Sequence, residues 1–174
     1  MNETIETLKT RRSVRGFDPT RIPSDDIISE IIEAGEYAPT GRGMQSPRIV
    51  AITNKIVRDR LSELNAQVMG TTSDPFYGAP VILLVLADKS RPTYLYDGSL
   101  VMGNLMNAAH ALKVGSCWIH RAKEVFSSAE GKELLQSWGI EGDYEGIGHV
   151  ALGYPLAEPA AAKPRKEDYC IWVR

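Results

Sequence analysis

Residues 79–88 read APVILLVLAD, and seven apolar residues stand in a row from Val81 to Ala87. A strand with one wet face alternates apolar and polar side chains. This run does not alternate, so both of its faces are covered. It is also far short of the roughly 20 residues that a membrane-spanning helix needs. The chain must therefore pack other elements on both sides of one central strand.

The remaining patterns supply those elements. Residues 4–10 read as a short helix capped by Thr4, with Ile5 and Leu8 on one face. Pro19 and Pro23 keep the next stretch irregular. Ser24 is placed to cap a second helix, and Asp25 and Asp26 suit the positive end of its dipole. Ile27, Ile28, Ile31, Ile32 and Ala34 give that helix its period, and it should stop near Pro39. APTGRGMQSP, residues 38–47, is a loop by composition, followed by a strand over 48–53. A helix over 57–68 carries Val57, Leu61, Leu64 and Val68 on one face, and residues 71–78 form a loop.

Residues 96–113 predict a long helix with apolar positions almost all the way round. Gly98, Gly103, Ala108, Ala109 and Ala111 keep it thin, as for a buried helix that a neighbour approaches closely. A strand over 114–119, a helix over 128–138 ended by Gly139, and a strand over 146–155 follow. After a loose tail, DYCIWVR at 168–174 reads as a strand with nothing nearby in sequence to pair with. These patterns give an α+β (or α/β) fold over a single domain, 1–174, with one layer of sheet wrapped by helices. The end strand is expected to dock at a distance, and a partner subunit is one such dock.

The chain has 174 residues and a net charge of −2, so no global basic field favours nucleic acid or an anionic membrane. Cys117 and Cys170 match no metal-ligand spacing, and so few cysteines suit a reducing cytoplasm. The opening MNETIETLKT has no apolar core of a signal peptide. Against this background TRRSVRGFD, residues 10–18, is a local basic exception. Two readings fit it: a solvated, salt-bridged turn, or a cradle for a small anion. In the cradle, Arg forks and a serine hydroxyl would meet phosphate oxygens. Lys163, Arg165 and Lys166 make a second basic cluster near the other end.

Neither a G-x-G-x-x-G after a strand nor a P-loop is present. His110 and His149 read as satisfied structural groups, and Cys117 as a buried, inert thiol. No nucleophile stands beside an activating base. A chain without a catalytic side-chain constellation often leaves the chemistry to a cofactor.

Five motifs in order then carry a resemblance. RRSVRGF resembles the R-R-S-x-R-x-F opening of the FMN-dependent nitroreductase family, and APTGRGMQSP resembles its A-P-S-G-G-N-x-Q-P-W loop. VGSCWI, GHVALGYP and KPR resemble the family's G-L-G-T-C-W-I, V-x-x-x-G-Y-P and K-x-R. The resemblance implies a compact member with a mostly antiparallel sheet and a C-terminal arm, 156–174, reaching toward its dimer partner. It implies that Arg11, Ser13 and Arg15, with Arg12 adding contacts, hold FMN, and that Lys163 and Arg165 close on the phosphate. Pro39, Thr40, Gly41 and Gln45 would lie against the flavin ring, usually from the other subunit. Trp118, Ile119, His120 and Arg121 would line its opposite side, with main-chain amides rather than imidazole chemistry at 120 and 121.

The implied activity is ping-pong hydride transfer from NADH or NADPH through flavin N5 to a nitroaromatic, quinone or enone, in a homodimer with FMN at the interface. An FMN store, carrier or redox sensor without turnover is the alternative. The chain departs from the family's loop at Gly43 and at Ser46-Pro47. It also carries His120 and Arg121 where the family is small or acidic.

Overall fold

The computed structural model describes residues 2–174. Four strands form one antiparallel sheet: β1 (Pro47–Ile52), β2 (Val81–Asp88), β3 (Gly115–Ile119) and β4 (Tyr144–Gly153), in the order β1-β2-β4-β3. The apolar run is β2, and it lies inside the sheet between β1 and β4. Its seven apolar residues are fully buried, as the lack of alternation requires.

Alternate residues of β2 feed two cores. Ile82, Leu84 and Leu86 pack with Leu61 and Leu64 of α3 (Lys55–Met69) and with Val125 and Phe126 of α5 (Ala122–Ser127). Val81, Leu83 and Val85 face Ile28 and Ile31 of α2 (Asp25–Glu36) and Met102 and Leu105 of α4 (Tyr94–Ala111). Each fully buried aliphatic side chain contributes about 1.5–3 kcal/mol, so these two faces dominate the stability of the fold.

Local signals account for the helix ends. Ser24 caps α2 by accepting from the Ile27 amide at 3.4 Å, and Asn54 caps α3 through Ile56 and Val57. The first helix, α1 (Glu3–Thr10), is capped by Asn2 and not by Thr4, because the Asn2 carboxamide reaches the Ile5 amide at 3.2 Å. The helix expected over 128–138 is α6 (Ala129–Ser137), with α5 as a separate short helix before it.

In the single chain two apolar surfaces that the sequence reading would cover stand open. Helix α4 is not buried all round: Val101, Met102, Leu105 and Ala109 are covered, while Leu95, Tyr96 and Leu100 face outward. Residues 168–174 make no strand within the chain; Glu167–Tyr169 is a short 3-10 turn, and Ile171, Trp172 and Val173 are exposed. A strand needs a neighbour to bond, and among the described residues none pairs with this segment.

Candidate functional site

The basic segment is extended and lies along the outer edge of β3. Ser13 pairs with Ser116 in a parallel bridge, and the Val14 amide donates to the Ser116 carbonyl at 3.0 Å. Further on, Phe17 bridges Pro155, and the Leu156 amide donates to the Gly16 carbonyl at 3.1 Å. Segment 11–17 is thus fixed between the sheet edge and the start of the tail. Val14 and Phe17 anchor it by burying their side chains in the core.

The fixed segment presents its polar groups at Cys117. Burial pushes the Cys117 thiol up, while Arg15, Ser13 and Arg11 pull it the other way and lose. That is the inert thiol expected. The Arg11 Nη1 is buried and has no hydrogen-bond partner among the described residues. An unpaired guanidinium nitrogen taken out of water is costly unless an acceptor meets it.

Arg12 is directed elsewhere. Its guanidinium donates to the carbonyls of Lys9 and Arg11 at 2.9 and 2.7 Å. It lines a groove of about 470 Å³ with Thr10, His110, Lys113 and Glu158. There His110 meets Thr10 Oγ1 at 2.9 Å. Burial, with Lys113, Arg11 and Arg12 nearby, lowers its pKa. Lys163 and Arg165 are exposed, and the Arg165 guanidinium folds back on the Lys163 carbonyl. No hydrogen bond among the described residues joins either of them to the 11–15 segment.

At the end of β3 the four residues diverge. The Trp118 indole lies on the α4 face across Gly148, where a Cβ would come within 2.7 Å of Nε1. Ile119 turns into the opposite core. His120 is exposed, with its ring centroid 6.0 Å from that of Trp118. Arg121 has φ 73° and ψ 10°, a left-handed backbone uncommon outside glycine. Below it His149 is fully buried, and both ring nitrogens lack partners. This corrects the expectation of a satisfied histidine; its neighbours are the rings of Phe76 and Phe126.

The loop at 38–46 is built around Asp97, a buried carboxylate on α4. It accepts from the Gly41 amide at 2.9 Å, the Ser46 hydroxyl at 2.8 Å and the Thr93 hydroxyl at 3.1 Å. Gly41 is required there because a Cβ would collide with the Thr93 side chain. Thr40 Oγ1 accepts from the Gln45 amide at 3.0 Å, and Gln45 takes a left-handed φ of 49°. Pro39 and Gln45 are exposed. Sequence reasoning missed Asp97. Its signal is a lone acid inside an otherwise apolar and small-residue helix.

The two groups of candidate residues stand at opposite edges of the sheet. The loop leads into β1, whereas segment 11–15 borders β3. Three strand spacings separate those edges, roughly 14 Å at about 4.8 Å each.

The model of the Nitroreductase family matches residues 8–72 and 67–154, which is most of the chain. The chain belongs to the nitroreductase family. A nitroreductase from Bacteroides fragilis, solved with bound FMN, superposes with a TM-score of 0.88 at 28% identity, covering 100% of both chains. One from Desulfitobacterium hafniense, also with bound FMN, gives a TM-score of 0.88 at 25% identity and the same coverage. A protein of Archaeoglobus fulgidus with the provisional name NADH dehydrogenase/NAD(P)H nitroreductase is 28% identical over 91% of this chain and 88% of its own. The nitroreductase fold expected from the motifs is thus the fold observed, with an antiparallel sheet between helices.

Proposed function

We propose that this nitroreductase-family chain is an FMN-dependent NAD(P)H oxidoreductase that works as a homodimer. It would pass hydride in a ping-pong sequence to a nitroaromatic, quinone or enone. The observation that carries this reading is the buried, unpartnered guanidinium nitrogen of Arg11 in a segment pinned to β3. A phosphate there satisfies the orphan donor. Arg15 and the Ser13 hydroxyl stand on the same side to bind the rest of a phosphorylated chain. FMN, when bound, supplies hydride acceptance and donation at N5; the protein supplies binding, orientation and electrostatics.

Lys163 and Arg165 would swing onto the phosphate from the exposed tail. Residues 118–121 would line one side of the ring. Loop 39–45 of the same chain is at the far edge of the sheet, so the opposite side would be covered by that loop from a second copy. The arm supports the same dimer. The outer edge of β1 carries no strand, and a groove of about 940 Å³ runs beside it, lined by Tyr37, Ala38, Ile49, Trp138 and Ile140. An apolar segment such as Cys170–Val173 from the partner would add to that edge by strand pairing. Among the described residues no helix is long and apolar enough to cross a membrane, and a cytoplasmic setting forms part of this reading.

The test is the visible spectrum of the purified protein, then addition of NADH or NADPH without oxygen. Flavin bands that bleach, with turnover on a quinone, support the enzyme. Bands that survive both donors favour a carrier or sensor. A protein that stays colourless after FMN is supplied refutes the flavin site.

A further inference from the structure

The His120–Arg121 peptide is held from one side by a single buried side chain. Asn65, on α3, is fully buried. Its Nδ2 donates to the His120 carbonyl at 2.8 Å, and its Oδ1 accepts from Arg121 Nε at 2.9 Å. Both ends of the carboxamide are used, so its orientation is fixed: reversing it would set oxygen against carbonyl and N–H against guanidinium. The left-handed backbone of Arg121 is strained and persists only where the surroundings over-determine it. The Asn65 contacts to both residues of the peptide do so.

In a trans peptide the carbonyl and the following N–H point to opposite sides. With the His120 carbonyl drawn toward α3, the Arg121 N–H points away from it. That N–H makes no hydrogen bond among the described residues. A donor fixed in direction and left without a partner, just past the end of the strand that segment 11–15 borders, is arranged for a ligand.

We infer that Asn65 and Arg121 form a clamp that presents the Arg121 N–H to the bound ring and keeps a guanidinium charge in the same turn. The inference rests on the flavin reading above and adds positioning residues to it. Asn65 is fully buried and acts through the peptide. A preorganised donor and a nearby cation favour the electron-rich reduced ring over the oxidised one. The clamp therefore sets the flavin potential more than it sets FMN affinity, which the phosphate contacts dominate.

The test uses the FMN-loaded protein and the variants Asn65→Leu and Arg121→Gly. Glycine accepts the left-handed backbone without strain, so Arg121→Gly keeps its fold even if Asn65→Leu does not. Dye-equilibrated titration gives the midpoint potential of the bound flavin, and titration with FMN gives affinity. The expected result is a more negative potential in both variants, with reduction by NAD(P)H at least tenfold slower and FMN affinity changed less than threefold. Hydrogen exchange adds a readout independent of turnover: FMN loading slows exchange of the Arg121 amide in the wild type. Variants that load FMN at the wild-type potential overturn the clamp and leave the flavin reading intact, as does an Arg121 amide that FMN does not protect. A wild type that fails to take up FMN overturns the flavin reading itself, and the clamp with it.

Discussion

The Gly41 amide donates to Asp97 Oδ1 at 2.9 Å, joining a loop at the β1 edge to the first turns of α4 across 56 positions of sequence. Ser46 and Thr93 donate to the other carboxylate oxygen, so one buried acid satisfies three donors. Asp97→Ala should lower stability by about 2–4 kcal/mol, since each donor left buried and unpaired costs about 1–3 kcal/mol and some will find water. Loop 39–46 should loosen with it. Urea denaturation gives the first number, and limited proteolysis within the loop reports the second. A variant as stable and as protease-resistant as the wild type would show that the carboxylate does not hold the loop.

The phosphate assignment predicts a large effect from a small change. Charge-assisted hydrogen bonds are worth about 1.5–3 kcal/mol each, so Arg11→Ala with Arg15→Ala should cost FMN roughly 3 kcal/mol or more. That is about a hundredfold or more in Kd. Arg12→Ala should change Kd far less, because its guanidinium is spent on the Lys9 and Arg11 carbonyls. Fluorescence titration with FMN compares the three proteins. Equal losses from Arg12→Ala and the double variant would contradict the division of the segment into two sides.

Much of this is legible in the sequence. The non-alternating run of β2 required cover on both sides, and the Ser24 cap and Gly139 stop are local signals that the fold obeys. Ordered motifs pointed to the family. What was not legible depends on distance in three dimensions. Asp97 is unremarkable in sequence, and its partners at 41, 46 and 93 meet only once the sheet forms. Arg12 cannot be told from Arg11 by composition; the extended backbone beside β3 separates them. The short helix α5 escaped because six residues are too few for a period to show. The end segment reads as a strand and is one in propensity, but pairing is a property of two strands.

The arm gives a prediction about assembly. Ile171, Trp172 and Val173 are 83%, 77% and 94% exposed in the single chain, a poor arrangement for apolar side chains unless something covers them. Deleting residues 168–174 should shift sedimentation toward monomer at micromolar concentration. In the full chain, Trp172 emission should move to shorter wavelength as concentration rises and the arm docks. A truncated chain that sediments as an equally stable dimer would place the interface elsewhere.

His149 gives a prediction about pH. Burial lowers its pKa from 6.5 to about 4; the Ile119 and His120 carbonyls near the ring work against this, although neither makes a hydrogen bond of proper geometry, and the Arg121 charge reinforces the lowering. The unfolded chain therefore takes up a proton near pH 6.5 that the folded chain refuses until about pH 4. Between those values the unfolded state holds more protons, so stability rises with pH across the window and falls as acid is added. The contribution is about 3 kcal/mol at 1.36 kcal/mol per pH unit, fully present above the unfolded value and gone below the folded one. His149→Leu should flatten that slope. It should not weaken the protein at neutral pH, because it removes two buried nitrogens that have no partners. His110, also lowered, adds a slope common to both proteins, so the difference between them isolates His149. Asp74 acts in a lower window. Burial raises its pKa, but Arg58, Ser62 and the Gly78 and Phe76 amides outweigh that and hold it below 3.8. Its stabilisation is lost only as pH falls past that point, leaving an acid limb in both proteins. Urea midpoints from pH 3 to pH 8 measure all of this. Parallel curves for the wild type and His149→Leu between about pH 4 and 6.5 would mean that the buried imidazole finds a proton acceptor or water in the folded state.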